Sequence, residues 1–208
     1  MPTPLFIATG RFDPSDGEKW RRYFDWARIP ALLEVVSLDL MLCPRLIDSP
    51  REEDWDHIVL EEVCFGYYHQ LDPLLRRVET VRRRNILGLY RNPEAPISSI
   101  PGTGSFVFCG YDLIEDQTGI SALTNCGGFP EVFPNEELNS CGLIDHFDRA
   151  REVRRLLADR YPEEPHAQCQ MYALWRLNES EPCVLPYAGQ PVRPGQESED
   201  KPASDLAI

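Results

Sequence analysis

Apolar residues alternate with polar residues, or form short unbroken runs, in five segments of the chain. The segment 32–42 alternates leucine and valine with glutamate, serine and aspartate, which predicts a strand with one buried face. The segment 169–177 alternates similarly, and the apolar run 105–114 is long enough for a buried strand. Two shorter runs, 85–91 and 120–124, complete a predicted sheet of about five strands, mixed or mostly antiparallel.

Helical spacing of apolar residues predicts about four helices, which begin near residues 16, 50, 73 and 146. The second has the features of a helix start, because Ser49 and Pro50 precede two glutamates in the first turn. In the first, Trp20, Tyr23 and Phe24 share one face, which we expect to pack on the sheet. The fold class predicted from these elements is α+β.

The elements fit one globular domain that spans residues 1–181. Residues 182–208 contain five prolines, several acids and few apolar side chains, which predicts a disordered acidic tail. The chain has seven cysteines and lacks the features of a secretory leader, so we expect a cytoplasmic protein with reduced thiols. No run approaches the ~18 consecutive apolar residues of a membrane span, so we expect no membrane association.

The formal net charge is −13 at pH 7, and the acids are concentrated in the middle of the chain. Between Arg91 and Arg149 there are nine acidic residues and no lysine or arginine. Binding to nucleic acid or to an anionic membrane needs a positive surface, so this pattern argues against both and favours a basic protein partner. An arginine cluster at 76–84 could bind phosphate, but we expect it to pair with the acidic block at 52–62.

One candidate catalytic group is the thiol of Cys126, which precedes Gly127 and Gly128 in a predicted strand-to-helix turn. The backbone N–H groups of such a turn could form an oxyanion hole, and His146 or His166 could act as the base. The surrounding acids, however, oppose formation of the thiolate. We therefore favour a structural role for this cysteine and a protein that is not an enzyme.

A zinc site is a second chemical alternative. Its candidate ligands are Cys126, Cys141, His146, His166 and Cys169. Structural zinc sites bring ligands in close pairs, and among these only His166 and Cys169 have that spacing. The carboxylates of Asp112, Glu115 and Asp116 could bind Mg²⁺ or Ca²⁺ but lack the spacing of a calcium loop. We therefore expect no metal and no cofactor.

A small acidic α+β protein without a catalytic motif has the properties of an inhibitor that occupies a basic cleft. Opposite charges accelerate the encounter, and aromatic side chains supply affinity. Basic clefts are typical of nucleases and of toxins that use nucleic acids or nucleotides, so the sequence favours a bacterial immunity (antitoxin) protein. The predicted contact residues are Phe129, Glu131, Phe133, Glu136, Glu137 and Asp145.

The sequence leaves two other function classes open. One is a small cytoplasmic enzyme that uses Cys126 or a zinc or carboxylate site. The other is a non-catalytic subunit of a larger assembly. The identity of the partner and the oligomeric state are also left open.

Overall fold

A computed structural model describes residues 3–59, 66–101, 105–125 and 128–178. Its strands are β1 (Leu5–Gly10), β2 (Arg84–Arg91), β3 (Phe106–Glu115) and β4 (Cys169–Leu177). Its α-helices are α1 (Glu18–Ala27), α2 (Leu71–Val78) and α3 (Phe147–Arg160). Short 3-10 turns cover Pro14–Asp16, Glu52–Asp54, Asn135–Glu137 and Pro165–Gln168. Within the described residues the strands form one antiparallel sheet in the order β1-β2-β4-β3, which confirms the α+β class.

Three of the predicted strands are present, as β2, β3 and β4, but the strand predicted at 32–42 is wrong. This segment is irregular, and its residues 35–39 are buried. Its backbone N–H groups do not pair with a neighbouring strand. Those of Met41 and Leu42 donate to the carboxylate of Asp39, at 2.8 and 2.7 Å. Those of Val36 and Leu40 donate to carbonyl oxygens of other irregular segments, at 3.1 and 3.0 Å. The alternation of apolar and polar residues at 32–42 therefore reflects which side chains are buried, although the segment does not pair as a strand.

The strand predicted at 120–124 is also wrong. Its contribution to the sheet is a single bridge between Ser121 and Ile114, after which the chain turns. In contrast, β1 is a strand that the sequence analysis does not predict. It is only six residues long, so its periodicity is weak, yet it pairs along its whole length with β2.

Three predicted helices are present as α1, α2 and α3, but the helix predicted near residue 50 is wrong. Only the 3-10 turn Glu52–Asp54 forms at this position. The Asp54 carboxylate accepts the backbone N–H of Arg51 at 2.7 Å and is drawn inward by the Tyr68 hydroxyl and the Arg77 guanidinium, at 3.0 and 2.9 Å. Residues 60–65, where the sequence favours neither helix nor strand, lie outside the described part of the chain.

The two faces of the sheet are covered differently. One face packs on α2 and α3. The aromatic face of α1, predicted to pack on the sheet, packs instead on Val35, Leu42 and Cys43 of the irregular segment. The second face is covered by irregular segments, where Ile7, Leu87 and Leu174 of the sheet pack against Val36 and Leu143. A segment without helical or strand bonding must find other partners for its buried backbone groups, which explains the polar side chains that lie among these apolar ones.

Irregular segments also occupy both edges of the sheet. On the β1 edge, the Leu46 N–H donates to the Ala8 carbonyl oxygen at 3.0 Å. On the β3 edge, Tyr111 and Ile144 exchange two backbone hydrogen bonds, at 2.8 and 3.1 Å, and the Ala122 N–H donates to Leu113 at 2.8 Å. These positions are therefore closed to pairing with a strand of another protein.

Arginines of the cluster at 76–84 pair with acids, but only some of these acids belong to the predicted block at 52–62. The Arg77 guanidinium lies 2.9 Å from the buried carboxylate of Asp54. Arg83 instead contacts Asp13 and Asp16, at 2.9 and 2.6 Å. None of the helices in the described residues has the length and apolar character needed to span a membrane.

We expect Gly110→Ala to destabilise the protein more than Gly17→Ala. Both glycines have a positive φ, 133° and 122°, at which a side chain costs about 1–3 kcal/mol. A Cβ on Gly110 would in addition lie 2.7 Å from the Leu143 Cβ, whereas one on Gly17 would meet nothing within 4 Å. Urea denaturation should therefore give a further loss of about 1–3 kcal/mol in the free energy of unfolding for G110A. Equal losses would contradict the close packing at Gly110.

Candidate functional site

The predicted acidic contact residues lie on the surface, but they are not equivalent. Glu131, Glu136 and Asp145 are exposed. Glu137 is exposed too, yet both of its carboxylate oxygens accept hydrogen bonds from the Arg149 guanidinium, at 2.6 and 3.1 Å. This bidentate pair offsets the charge of Glu137, so a partner meets less of it than of Glu136.

The structure corrects the prediction that Phe129 and Phe133 are contact residues, because both are core residues. Their exposed fractions are 7% and 0%. The Phe129 ring lies 4.6 Å from the ring of His166 and 5.2 Å from that of Tyr161, measured between centroids. These rings are buried because removing a large aromatic surface from water stabilises the fold.

Six large apolar side chains are exposed among the described residues, and they include those of Trp26 and Leu33, at 51% and 71%. The sequence pattern does not single out either of these two residues. A signal is present for Trp26, because the partly buried aromatics of α1 lie at positions 20, 23 and 24, and position 26 falls off that helical stripe.

Trp26 lies near the acidic segment because Asn135 ties that segment to the end of α1. The Asn135 Nδ2 donates to the carbonyl oxygens of Ala27 and Arg28, at 3.0 and 3.3 Å. Asn135 immediately precedes the exposed Glu136. The C-terminal turn of α1 and the 3-10 turn Asn135–Glu137 are therefore neighbours on the surface.

Leu33 is tied to the same acidic segment by a second link. The backbone N–H groups of Leu33 and Glu34 both donate to the Ser140 carbonyl oxygen, at 2.9 and 3.2 Å. The side chain of the adjacent Asn139 donates to the Asp145 carboxylate at 2.6 Å. We call the resulting patch the Trp26 surface. It consists of Trp26, Leu33, Glu136 and Asp145.

Glu131 does not belong to this patch. Its carbonyl oxygen accepts a hydrogen bond from Arg160, in the last turn of α3, whereas Asp145 precedes the first turn of that helix. Hydrogen bonds therefore link the segments that carry Glu136 and Asp145 to those that carry Trp26 and Leu33, and Glu131 has no such link among the contacts of the described residues.

Asp112, predicted as a possible metal ligand, is a buried internal acceptor. Its carboxylate accepts the hydroxyl groups of Ser37 and Ser121, at 2.5 and 2.7 Å, and the backbone N–H of Leu38 at 3.2 Å. Burial raises the pKa of Asp112 to about 6, although these hydrogen bonds act in the opposite direction.

Asp39 is a second buried carboxylate in the same network. One of its oxygens accepts the Ser121 N–H at 2.8 Å and the Asn125 side-chain amide at 3.0 Å. The other accepts the two N–H groups of its own segment described above. Both carboxylates therefore serve the fold and are turned away from solvent.

The remaining predicted carboxylate ligands also have internal partners. The buried Glu115 accepts the Thr118 hydroxyl at 2.5 Å and contacts Nδ1 of His166. Asp116 accepts the side-chain amide of Gln170 at 2.6 Å. Among the described residues, no group of three His, Cys, Asp or Glu side chains is arranged to hold a metal ion.

The other candidate catalytic and zinc residues occupy separate environments. Cys126 lies outside the described residues. His146 is exposed just before α3 and makes no side-chain cap to that helix. Cys169 is buried in β4, where burial raises the pKa of its thiol to about 12, and Cys141 lies beside Cys109.

Two of the clefts formed by described residues bear on the question of a catalytic site. The larger, of about 800 Å³, is formed by the loop that follows β2, and its charged lining residues are Arg91 and Glu94. The smaller, of about 500 Å³, lies on α3. None of the predicted catalytic or contact residues lines either cleft, so neither supports a catalytic site built from them.

We expect ionisation of Asp112 to lower the stability of the fold as the pH rises from about 4 to about 6. The carboxyl binds its proton more tightly in the folded chain, where its pKa is about 6, than in the unfolded chain, where the usual value is 3.8. The free energy of unfolding therefore falls through this interval, by about 3 kcal/mol once ionisation is complete.

The measurement is the unfolding free energy of the wild type minus that of Asp112→Asn, from urea titrations between pH 4 and pH 7. This difference should fall as the pH rises. A difference for Asp112→Asn that is constant or grows would contradict the raised pKa.

Comparisons with known proteins give no family to which the chain could be assigned. No family model matches its sequence, and neither a curated protein nor a solved structure shows significant similarity to it.

Proposed function

We propose that this chain is a protein-binding inhibitor that neutralises an effector with a basic cleft, most concretely as a bacterial immunity (antitoxin) protein. The effector would be a nuclease-like or nucleotide-using toxin. The observation that carries the proposal is the Trp26 surface, whose two exposed apolar side chains and two exposed acids lie on segments that hydrogen bonds join.

The apolar part of the Trp26 surface supports binding to a protein. Tryptophan is enriched among the few residues that dominate interface energies, because it buries a large rigid surface. Half of the Trp26 side chain is exposed, and it packs on Tyr23 with 6.0 Å between ring centroids, which limits its freedom before binding. Trp26 and Leu33 therefore replace Phe129 and Phe133 as the proposed anchors.

The charged part supports a basic partner. Glu136 and Asp145 are exposed beside the anchors, and the chain as a whole carries a net charge of −13. A partner whose cleft is lined with lysine and arginine would be attracted on approach and would find acids at the rim of the contact. The positions at which irregular segments bond to the sheet edges are closed to strand pairing, and the proposed contact is made by the side chains of the Trp26 surface.

The enzyme alternative has less support among the described residues. The buried carboxylates Asp39 and Asp112 are engaged by internal donors, and the two clefts contain none of the predicted catalytic groups. A non-catalytic subunit could also use the Trp26 surface. It differs from an inhibitor in one respect that can be measured, because its partner would not be inhibited on binding.

The first experiment is affinity capture of the tagged chain from the cells that produce it, at about 0.15 M and about 1 M salt. We expect one basic protein to be retained in near-stoichiometric amount at the lower salt and to be released at the higher salt. Its nuclease or nucleotide-consuming activity should be lost in the complex. An acidic partner, or a partner that stays fully active in the complex, would contradict the proposal.

Charge reversal at the Trp26 surface should slow association with the captured partner. We expect Glu136→Lys with Asp145→Lys to reduce the association rate by about tenfold or more and to flatten its salt dependence. The control is Glu79→Lys with Glu94→Lys, which makes the same charge change at two exposed positions outside this patch. Equal effects of the two double variants would show that only the net charge matters.

Truncation of the anchor should instead speed dissociation. We expect Trp26→Ala to weaken binding by about 2 kcal/mol, or about 30-fold, mainly through the dissociation rate. Trp55→Ala is a matched control, since Trp55 is 50% exposed and belongs to a different surface turn. Biolayer interferometry with both variants checks this, and unchanged dissociation for Trp26→Ala would remove Trp26 from the interface.

A further inference from the structure

Two cysteines, Cys109 and Cys141, are neighbours in the apolar cluster on the second face of the sheet, where the Cys109 thiol donates to the Val107 carbonyl oxygen at 3.6 Å. Cys109 lies in β3 where its pairing with β4 shifts register, between Phe108 and Gly110. An irregularity of this kind re-aims a side chain relative to a regular strand. Cys141 is partly exposed, whereas Cys109 is buried.

One side-chain amide fixes the backbones of both cysteines. The Asn139 Nδ2 donates to the Cys109 carbonyl oxygen at 2.7 Å, and the Asn139 Oδ1 accepts the Cys141 N–H at 2.9 Å. Because both atoms belong to one planar group, the two backbones cannot move apart without breaking one of these bonds. A single amide group therefore keeps the two cysteine backbones close to each other, as a disulfide between them would require.

The two thiols differ in acidity. The neighbouring Cys109 thiol lowers the pKa of Cys141, and the nearby Arg176 guanidinium lowers it further, against the effect of burial. The neighbouring Cys141 thiol and burial raise the pKa of Cys109. Burial also raises the pKa of Cys43 and of Cys169. Cys141 thus differs from the other described thiols in combining exposure with a stabilised thiolate.

We propose that Cys109 and Cys141 are a redox modification site that closes to a reversible disulfide, with Cys141 reacting first with a hydroperoxide. The Cys141 thiolate attacks one peroxide oxygen, so that an S–O bond forms, the O–O bond breaks and hydroxide leaves. The Cys109 sulfur then attacks the Cys141 sulfur, the S–S bond forms, and the second hydroxide leaves with the Cys109 proton as water. With hydrogen peroxide, two thiols and one peroxide give one disulfide and two waters. This inference does not depend on the proposed function.

The test treats the reduced full-length protein with hydrogen peroxide, alkylates the remaining thiols and maps the peptides by mass spectrometry without reduction. We expect a linked pair of peptides that contain Cys109 and Cys141, lighter by two hydrogens than the separate peptides and separated again by dithiothreitol. Because Cys64, Cys126 and Cys183 could exchange with this pair, the mapping is repeated with all three replaced by serine. Recovery of both Cys109 and Cys141 as alkylated free thiols would overturn the proposal.

The order of reaction gives a second test. In Cys109→Ser, Cys141 should accumulate as a sulfenic acid that dimedone traps, whereas in Cys141→Ser the Cys109 thiol should remain reduced. Cys43→Ser is the control, and its Cys109–Cys141 disulfide should form at an unchanged rate. If a variant does not fold, the rates of alkylation in the wild type test whether Cys141 reacts first. We expect Cys141 to react with iodoacetamide at least about tenfold faster than Cys169. Equal rates would overturn the assignment of Cys141 as the first thiol to react.

Discussion

Two buried carboxylates, those of Asp39 and Asp112, hold the second face of the sheet together. An irregular segment that is buried must bond its backbone N–H groups, since each unpaired group costs about 1–3 kcal/mol. A neighbouring strand would normally accept them. Here the carboxylate of Asp39 accepts two N–H groups of its own segment, and Asp112 reaches from β3 to the Leu38 N–H. Through the Ser121 hydroxyl and N–H, the same two acids also fix the turn after β3.

The position of the Trp26 surface follows from this arrangement. Leu33 and Glu34 directly precede the buried segment 35–39, so the position of that segment also sets theirs. Glu34 is held by ion pairs with Arg11 and Arg176. The neighbouring Leu33 is bonded through its backbone to Ser140 and keeps its side chain in solvent. The exposed patch therefore rests on a rigid support, and rigid support reduces the entropy lost when a partner binds.

Hydrophobic periodicity predicts most of this fold because, in β2 to β4 and in α1 to α3, burial and secondary structure coincide. It fails at 32–42, where side-chain acceptors replace strand pairing and leave the same alternation of buried and polar positions. The acids of the candidate site could be predicted from charge alone. Its apolar anchors are harder to predict: the spacing in α1 carries a signal for Trp26, but the sequence does not show that tertiary packing buries Phe133 and leaves Leu33 exposed.

The availability of each acid decides what a partner can recognise. Glu136 and Glu137 are adjacent and carry the same formal charge, but Arg149 engages only Glu137 with two hydrogen bonds among the described contacts. At physiological ionic strength charges are screened beyond about 8 Å, so most of the net charge of −13 acts on solubility and on the approach of a partner. Discrimination between basic partners must then come from the few acids within that distance of the contact and from the apolar groups beside them. On this chain Glu136 and Asp145 beside Trp26 and Leu33 meet both conditions, and the surface they form is the part of the molecule on which specificity would depend.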